Sequence, residues 1–246
     1  MKMIRLLFLS SLALSLGACS STNSDPSLFQ PEMNPAQLMD GGVTAISKRE
    51  YHDASHYFDA LSIRYPASPL AGQAQLYSLY VSYISGDYPM AMAQAGRYID
   101  LYPTASNVIY AYYIKGLSNF NMNLGFLQKY LPADLAQRDL TSWKTAFNDF
   151  SVVVSSPHPN PYKADARQHM VYIRNLIAEH ELKVAQFYYD RRAYVPPINR
   201  AQDVVSNYGG SSAVHAALTI LENAYRELGE TDAADQIARV IAVNQA

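Results

Sequence analysis

Tyr51-x-x-Ala54-x-x-x-Phe58-x-x-Leu61-x-x-x-Tyr65-Pro66 recurs as Tyr88-x-x-Ala91-x-x-x-Ala95-x-x-Tyr98-x-x-x-Tyr102-Pro103, every anchor 37 residues further on. The i, i+3, i+7, i+10 spacing puts the anchors on one helical face, and Pro after Tyr65 and Tyr102 stops the helix. Weaker copies start at Trp143 (Ala146, Phe150, Val153), Tyr194 (Ala201, Val204, Tyr208) and Thr231 (Ala234, Ala238, Ile241). A period of this length marks a repeat architecture.

Small-x3-large-x2-large with a following Pro resembles the second helix of a tetratricopeptide (TPR) repeat. A first helix should precede each copy. Leu38 and Gly42 fit ahead of Ala54, Tyr112 and Gly116 ahead of Ala146, Val184, Ala185 and Tyr188 ahead of Pro197, and Leu218, Leu221 and Tyr225 ahead of Ala234. In the second repeat Leu76, Leu79, Tyr80 and Tyr83 are shifted by one position. Between Gly116 and Ala146 about 18 residues too many intervene, which predicts an inserted loop near 121–140. The expected fold is therefore all-α, a right-handed TPR superhelix (α-solenoid) of about five helix pairs with a concave face. Pro157-His158-Pro159-Asn160-Pro161 forbids helix and divides repeats 1–3 (36–156) from repeats 4–5 (157–246). Residues 162–189 hold no Gly or Pro and read as one long helix.

Ahead of the repeats, Lys2 and Arg5 precede an apolar run over residues 6–16, then Gly17-Ala18-Cys19. A charged start, a short apolar stretch and small residues describe an export signal over 1–18. Eleven residues rise about 17 Å, too short for a hydrocarbon core of about 30 Å. Leu16-Gly17-Ala18-Cys19 also resembles a bacterial lipobox, in which Cys19 is acylated and becomes the new N-terminus. Ser rather than Asp at position 20 favours, by the same resemblance, the outer membrane. Several acyl chains on one Cys meet the two-signal requirement for stable anchoring. Residues 19–35, with Pro26, Pro31 and Pro35, read as a lipidated flexible tether.

Composition narrows the chemistry. The 246 residues carry 19 Lys+Arg against 21 Asp+Glu, so no basic surplus suggests nucleic acid. One Cys permits neither an intramolecular disulfide nor a Cys-rich zinc site. No Gly-x-Ser-x-Gly, phosphate loop or dinucleotide fingerprint occurs, and no catalytic residue or cofactor is expected. His52 and His56 stand at i, i+4, as in a metalloprotease helix with Asp for Glu. They face away from Ala54, and spacing suggests no third ligand, so no metal site is expected.

Twenty Tyr against one Trp and eight Phe favours rings with a polar tip, suited to a surface that meets peptide. Arg64, Tyr65, Tyr80, Tyr83 and Arg97 are the candidate groove residues, stacking aromatic side chains and pairing with a carboxylate.

The lipobox, tether, five repeats and third-repeat insertion together resemble the BamD (ComL/YfiO-like) family of outer-membrane β-barrel assembly lipoproteins. Arg64-Tyr65-Pro66, Asp87-Tyr88-Pro89-Met90-Ala91, Ala146-Phe147-Asn148-Asp149-Phe150 and Glu222-Asn223-Ala224-Tyr225 carry the likeness. The resemblance implies a non-catalytic scaffold of the BAM complex, lipid-anchored at the periplasmic face of the outer membrane. Its implied partners are the periplasmic domains of a BamA-like β-barrel insertase, other Bam lipoproteins and unfolded outer-membrane proteins. Val195-Pro196-Pro197-Ile198-Asn199-Arg200 resembles the family segment facing the insertase, which makes Asn199 and Arg200 the expected insertase contacts. Two alternatives are a TPR lipoprotein adaptor for cell-wall hydrolases or a secretin pilotin, and a periplasmic metallohydrolase using His52 and His56.

Overall fold

The computed structural model describes residues 33–122, 124, 135–137 and 139–244. Cys19, the export signal and most of the tether lie outside the described residues, as does much of the expected insertion. Ten α-helices follow in order: α1 (Pro35–Ser47), α2 (Tyr51–Arg64), α3 (Ala71–Ile84), α4 (Tyr88–Leu101), α5 (Val108–Met122), α6 (Thr141–Ser155), α7 (Lys163–Tyr189), α8 (Val195–Asn207), α9 (Val214–Glu227) and α10 (Thr231–Asn244). No strand occurs among the described residues. The chain is all-α, and these helices form the five expected pairs. It divides into two compact units, one ending at Ala71 and the other starting at Gly72. The Pro157–Pro161 stretch falls inside the second unit, between α6 and α7.

The first unit is a single helix pair. Asn34 caps α1 reciprocally: its side chain accepts from Gln37 N at 3.0 Å, while Gln37 Oε1 accepts from Asn34 N at 2.9 Å. Pro35 occupies the first helical position, where no N–H is needed. Leu38, Met39, Gly42 and Ala45 of α1 face Ala54, Phe58 and Leu61 of α2, all buried. Gly42 is required by this approach, since a Cβ there would lie 2.5 Å from the Phe58 ring. The Tyr65 hydroxyl donates to the Met33 carbonyl at 3.0 Å and ties the end of α2 to the start of α1.

The second unit repeats the same pairing. Gly116 of α5 lies over the Phe150 ring of α6, where a Cβ would come within 2.8 Å. Ala91, Ala95, Tyr98, Ala146, Phe150 and Val153 are all buried, as the repeat anchors require. α7, 27 residues long, runs through two core clusters. Ala166 and Ile173 pack with α5 and α6, whereas Ala178 and Ala185 pack with α8 and α9. A short 3₁₀ turn, Leu135–Gln137, follows α5, and the His180 ring donates to the Ala136 carbonyl to hold it on α7.

One turn recurs between the paired helices. Arg49, Gly86, Arg192 and Gly229 all have positive φ, at 63°, 84°, 60° and 79°. After each, the next N–H reaches back five residues: Glu50 to Ala45, Asp87 to Ser82, Ala193 to Tyr188 and Glu230 to Tyr225, each near 3 Å. This is the Schellman closure, and glycine fills it without strain.

Three outcomes follow for thermal unfolding. Gly116→Ala should cost about 1–3 kcal/mol, because fully buried Phe150 has nowhere to retreat. Gly96→Ala, where an added Cβ meets nothing within 4 Å, should instead raise the melting temperature through the helix propensity of Ala, worth about 1 kcal/mol. Equal shifts at both positions would refute this packing. Arg192→Gly should also stabilise, by up to about 1 kcal/mol, since it relieves a left-handed non-glycine residue.

Candidate functional site

α3, α5 and α7 of the second unit carry a continuous aromatic seam. Tyr113 stacks on Tyr162 with centroids 4.7 Å apart, and Tyr110 lies 5.4 Å from the same ring. The Tyr113 hydroxyl donates to Asp165 Oδ2 at 2.7 Å, and His169 Nδ1 lies 3.2 Å from that oxygen. Phe120 meets His169 edge-on at 4.7 Å and Tyr172 at 5.5 Å. Burial, then the Asp165 bond, pushes the Tyr113 hydroxyl far above the ordinary phenol range. The phenol therefore stays protonated and acts as a donor. Beside the seam, Lys115 Nζ donates to buried Asp149 at 3.1 Å, and the Asn119 amide approaches the other oxygen at 3.3 Å. Burial raises the Asp149 carboxyl, and its two partners pull it back.

The expected groove residues divide between the units. Arg64 and Tyr65 belong to the first, where Arg64 is exposed and the Tyr65 hydroxyl is spent on closing the helix pair. Tyr80, Tyr83 and Arg97 belong to the second. Tyr83 is half-buried, accepts from the Asn121 amide at 3.1 Å and lies 5.9 Å from Tyr88. Burial raises its hydroxyl, and the Asn121 bond ties it to α5. Tyr80 is half-buried on the same helix, and Arg97 is exposed on α4.

Asn199 and Arg200 line a second feature, an open groove of ≈ 550 Å³ with Tyr188, Val195, Pro196 and Asp203. That volume lies within the range of small-ligand or side-chain pockets. α8 starts at Val195, so Pro196 and Pro197 sit in its first turn, where their missing N–H groups cost nothing. Arg200 Nη1 donates to Glu181 Oε2 at 2.7 Å; Glu181 is buried on α7 while the Arg200 side chain stays half exposed. Next to the groove, Arg191 stacks 3.5 Å over the Phe187 ring, and Phe187 meets Tyr188 edge-on at 5.4 Å.

Two residues here differ from the sequence expectation or escape it. Tyr188 is expected in the core of the fourth pair, but it is exposed and lines the groove, while Tyr189 packs inward edge-on to Tyr194. The reason is helical phase: 11 residues from Ala178 to Tyr189 complete about three turns, whereas ten do not. Glu181 escaped notice altogether. It lies on the Ala178–Ala185 face, and an acid on a buried face requires a cation from the next helix.

Among the described residues, no group of three or more His, Cys, Asp or Glu side chains is placed to hold a metal. Among the same residues, no helix is long and apolar enough to cross a membrane.

The Glu181–Arg200 pair makes a direct prediction. Arg200→Met should destabilise by about 1–3 kcal/mol because it strands a buried carboxylate. Adding Glu181→Gln should restore most of that loss. Equal melting temperatures for the single and double variants would show that the pair does not fasten α8 to α7.

The sequence matches the family described as "YfiO: Outer membrane lipoprotein" over residues 31–240. The "Outer membrane protein assembly factor BamD" of Pasteurella multocida (strain Pm70) is 32% identical over 239 residues, covering 97% of this chain and 90% of that protein. A protein of the same description from Haemophilus influenzae is 31% identical over 245 residues, with 100% and 92% covered. One from Xylella fastidiosa (strain 9a5c) is 35% identical over 207 residues, with 84% and 71% covered. The match spans all ten helices but the last few residues of α10, and with it the chain belongs to the YfiO family of outer membrane lipoproteins.

Proposed function

We propose that this chain is an outer-membrane protein assembly factor: a non-catalytic scaffold that binds a β-barrel insertase and unfolded outer-membrane proteins awaiting insertion. The observation that carries this reading is the family match over 31–240, which takes in both aromatic surfaces, together with relatives described as assembly factors along nearly their whole length. In this reading Cys19 is acylated and anchors the chain to the outer membrane, with the helices on the periplasmic face. Two acyl signals on a single residue suffice for that.

The division of labour follows the chemistry of each surface. Arg64 and Tyr65 in the first unit, and Tyr80, Tyr83 and Arg97 in the second, each supply guanidinium and phenol groups suited to an aromatic-ended peptide with a free carboxylate. Tyr65 and Tyr83 offer ring faces more than hydroxyls, since their oxygens are already engaged. Asn199 and Arg200 present a polar rim to the insertase, with Val195 and Tyr188 as the apolar floor. Other lipoprotein subunits would attach elsewhere on the helical body. Because Arg200 also holds Glu181, reversing its charge would damage the fold as well as the interface; Asn199→Arg is the cleaner probe.

Depletion of the protein in its own cells tests the function. All outer-membrane porins should fall together while inner-membrane proteins hold steady. Unchanged porin levels under full depletion would overturn the proposal.

A further inference from the structure

On α2, His52 and His56 stand one helical turn apart, and their imidazoles turn towards each other. The ring centroids are 4.3 Å apart and the two Nε2 atoms 3.2 Å. Two imidazole nitrogens this close either share a proton or share a cation. The separation is that of a hydrogen bond between the rings, and it also fits a cation: zinc–nitrogen bonds run about 2.0–2.1 Å, so a 3.2 Å chord subtends about 99–106° at the metal, near the tetrahedral angle.

A second observation points the same way. Asp53 Oδ1 lies 3.5 Å from Nδ1 of His52. A carboxylate beside Nδ1 favours the tautomer with the proton on that nitrogen and leaves the His52 Nε2 lone pair on the side of His56, the arrangement that orients metal-ligating histidines. Its charge also offsets the positive N-terminal end of α2, which would otherwise disfavour a bound cation. The His52 side chain is 77% exposed, so an ion can enter without disturbing the core.

We propose that His52 and His56 form a two-point chelate for a borderline divalent metal ion, with zinc the ion that its geometry fits and Asp53 orienting His52. The two remaining tetrahedral positions take water or a side chain from a bound partner. Sequence spacing suggests no site here because structural and catalytic zinc centres draw three or four protein ligands. A peripheral chelate needs only two, and the ring geometry supplies them. The inference is independent of the assembly function.

Titration calorimetry with zinc chloride and the full chain, free of any polyhistidine tag, tests the site. One zinc ion should bind per chain. His52→Ala and His56→Ala should each weaken binding at least tenfold, and Asp53→Asn by roughly tenfold, as outer carboxylates do. His158→Ala and His215→Ala, at other exposed positions, should leave it unchanged. Zinc should also raise the melting temperature of the parent protein but not of the double His52→Ala/His56→Ala variant. Absence of saturable binding, or binding that survives in the double variant, would overturn the site.

Discussion

The structure depends on one local closure, the turn that folds a helix back on its predecessor. A left-handed residue at 49, 86, 192 or 229 lets the next N–H reach back five residues. The two helices then lie antiparallel, close enough for a ring to rest on a small residue. Gly42 under Phe58, in the pair closed at Arg49, is the tightest instance, and Gly116 under Phe150 shows the same close approach in the third pair. A larger side chain at either glycine would separate the pair, and with it the buried faces that hydrophobic burial stabilises. Such a pair cannot bury all its apolar surface alone, so in the second unit each leans on the next.

Within and between the pairs of the second unit, polar fastenings set the register. Asp149 with Lys115 and Asn119 joins α6 to α5; Asp165 with Tyr113 joins α7 to α5; Glu181 with Arg200 joins α7 to α8. A buried carboxylate such as Asp149 or Glu181 is costly without its partner, so those two contacts tolerate only one alignment. The same groups form the edges of the two candidate surfaces. An aromatic seam whose hydroxyls are already directed inward presents rigid ring faces, which bind a flexible peptide at low entropic cost.

Much of this was legible in the sequence. The second helices of the pairs announced themselves because Ala, a ring and an aliphatic residue recur at fixed spacing before Pro or Tyr. The single long helix was legible because residues 162–189 lack any breaker, and α7 spans Lys163–Tyr189. Less legible were the first helices, whose buried faces mix Leu, Ile and Met with small residues and a glutamate, as Leu38, Met39, Gly42 and Ala45 do on α1 and Ile177, Ala178, Glu181 and Ala185 on α7. Tyr188 fits the first-helix spacing yet lies on the exposed side, because ten residues from Ala178 fall short of three full turns. The engagement of Tyr65 and Tyr83 depends on partners 32 and 38 residues away, which no local pattern encodes. Pro66 and Pro69 precede the break between compact units at 71 and 72, and the proline-rich stretch at 157–161 separates α6 from α7.

The family, the paired helices and the two aromatic surfaces together describe a scaffold whose work is done by contact. In-cell crosslinking followed by isolation of the protein from membranes tests that account most directly. A β-barrel insertase should be the principal adduct, accompanied by unfolded outer-membrane proteins. Peptidoglycan hydrolases or secretin subunits as the principal adducts, with no insertase among them, would contradict it.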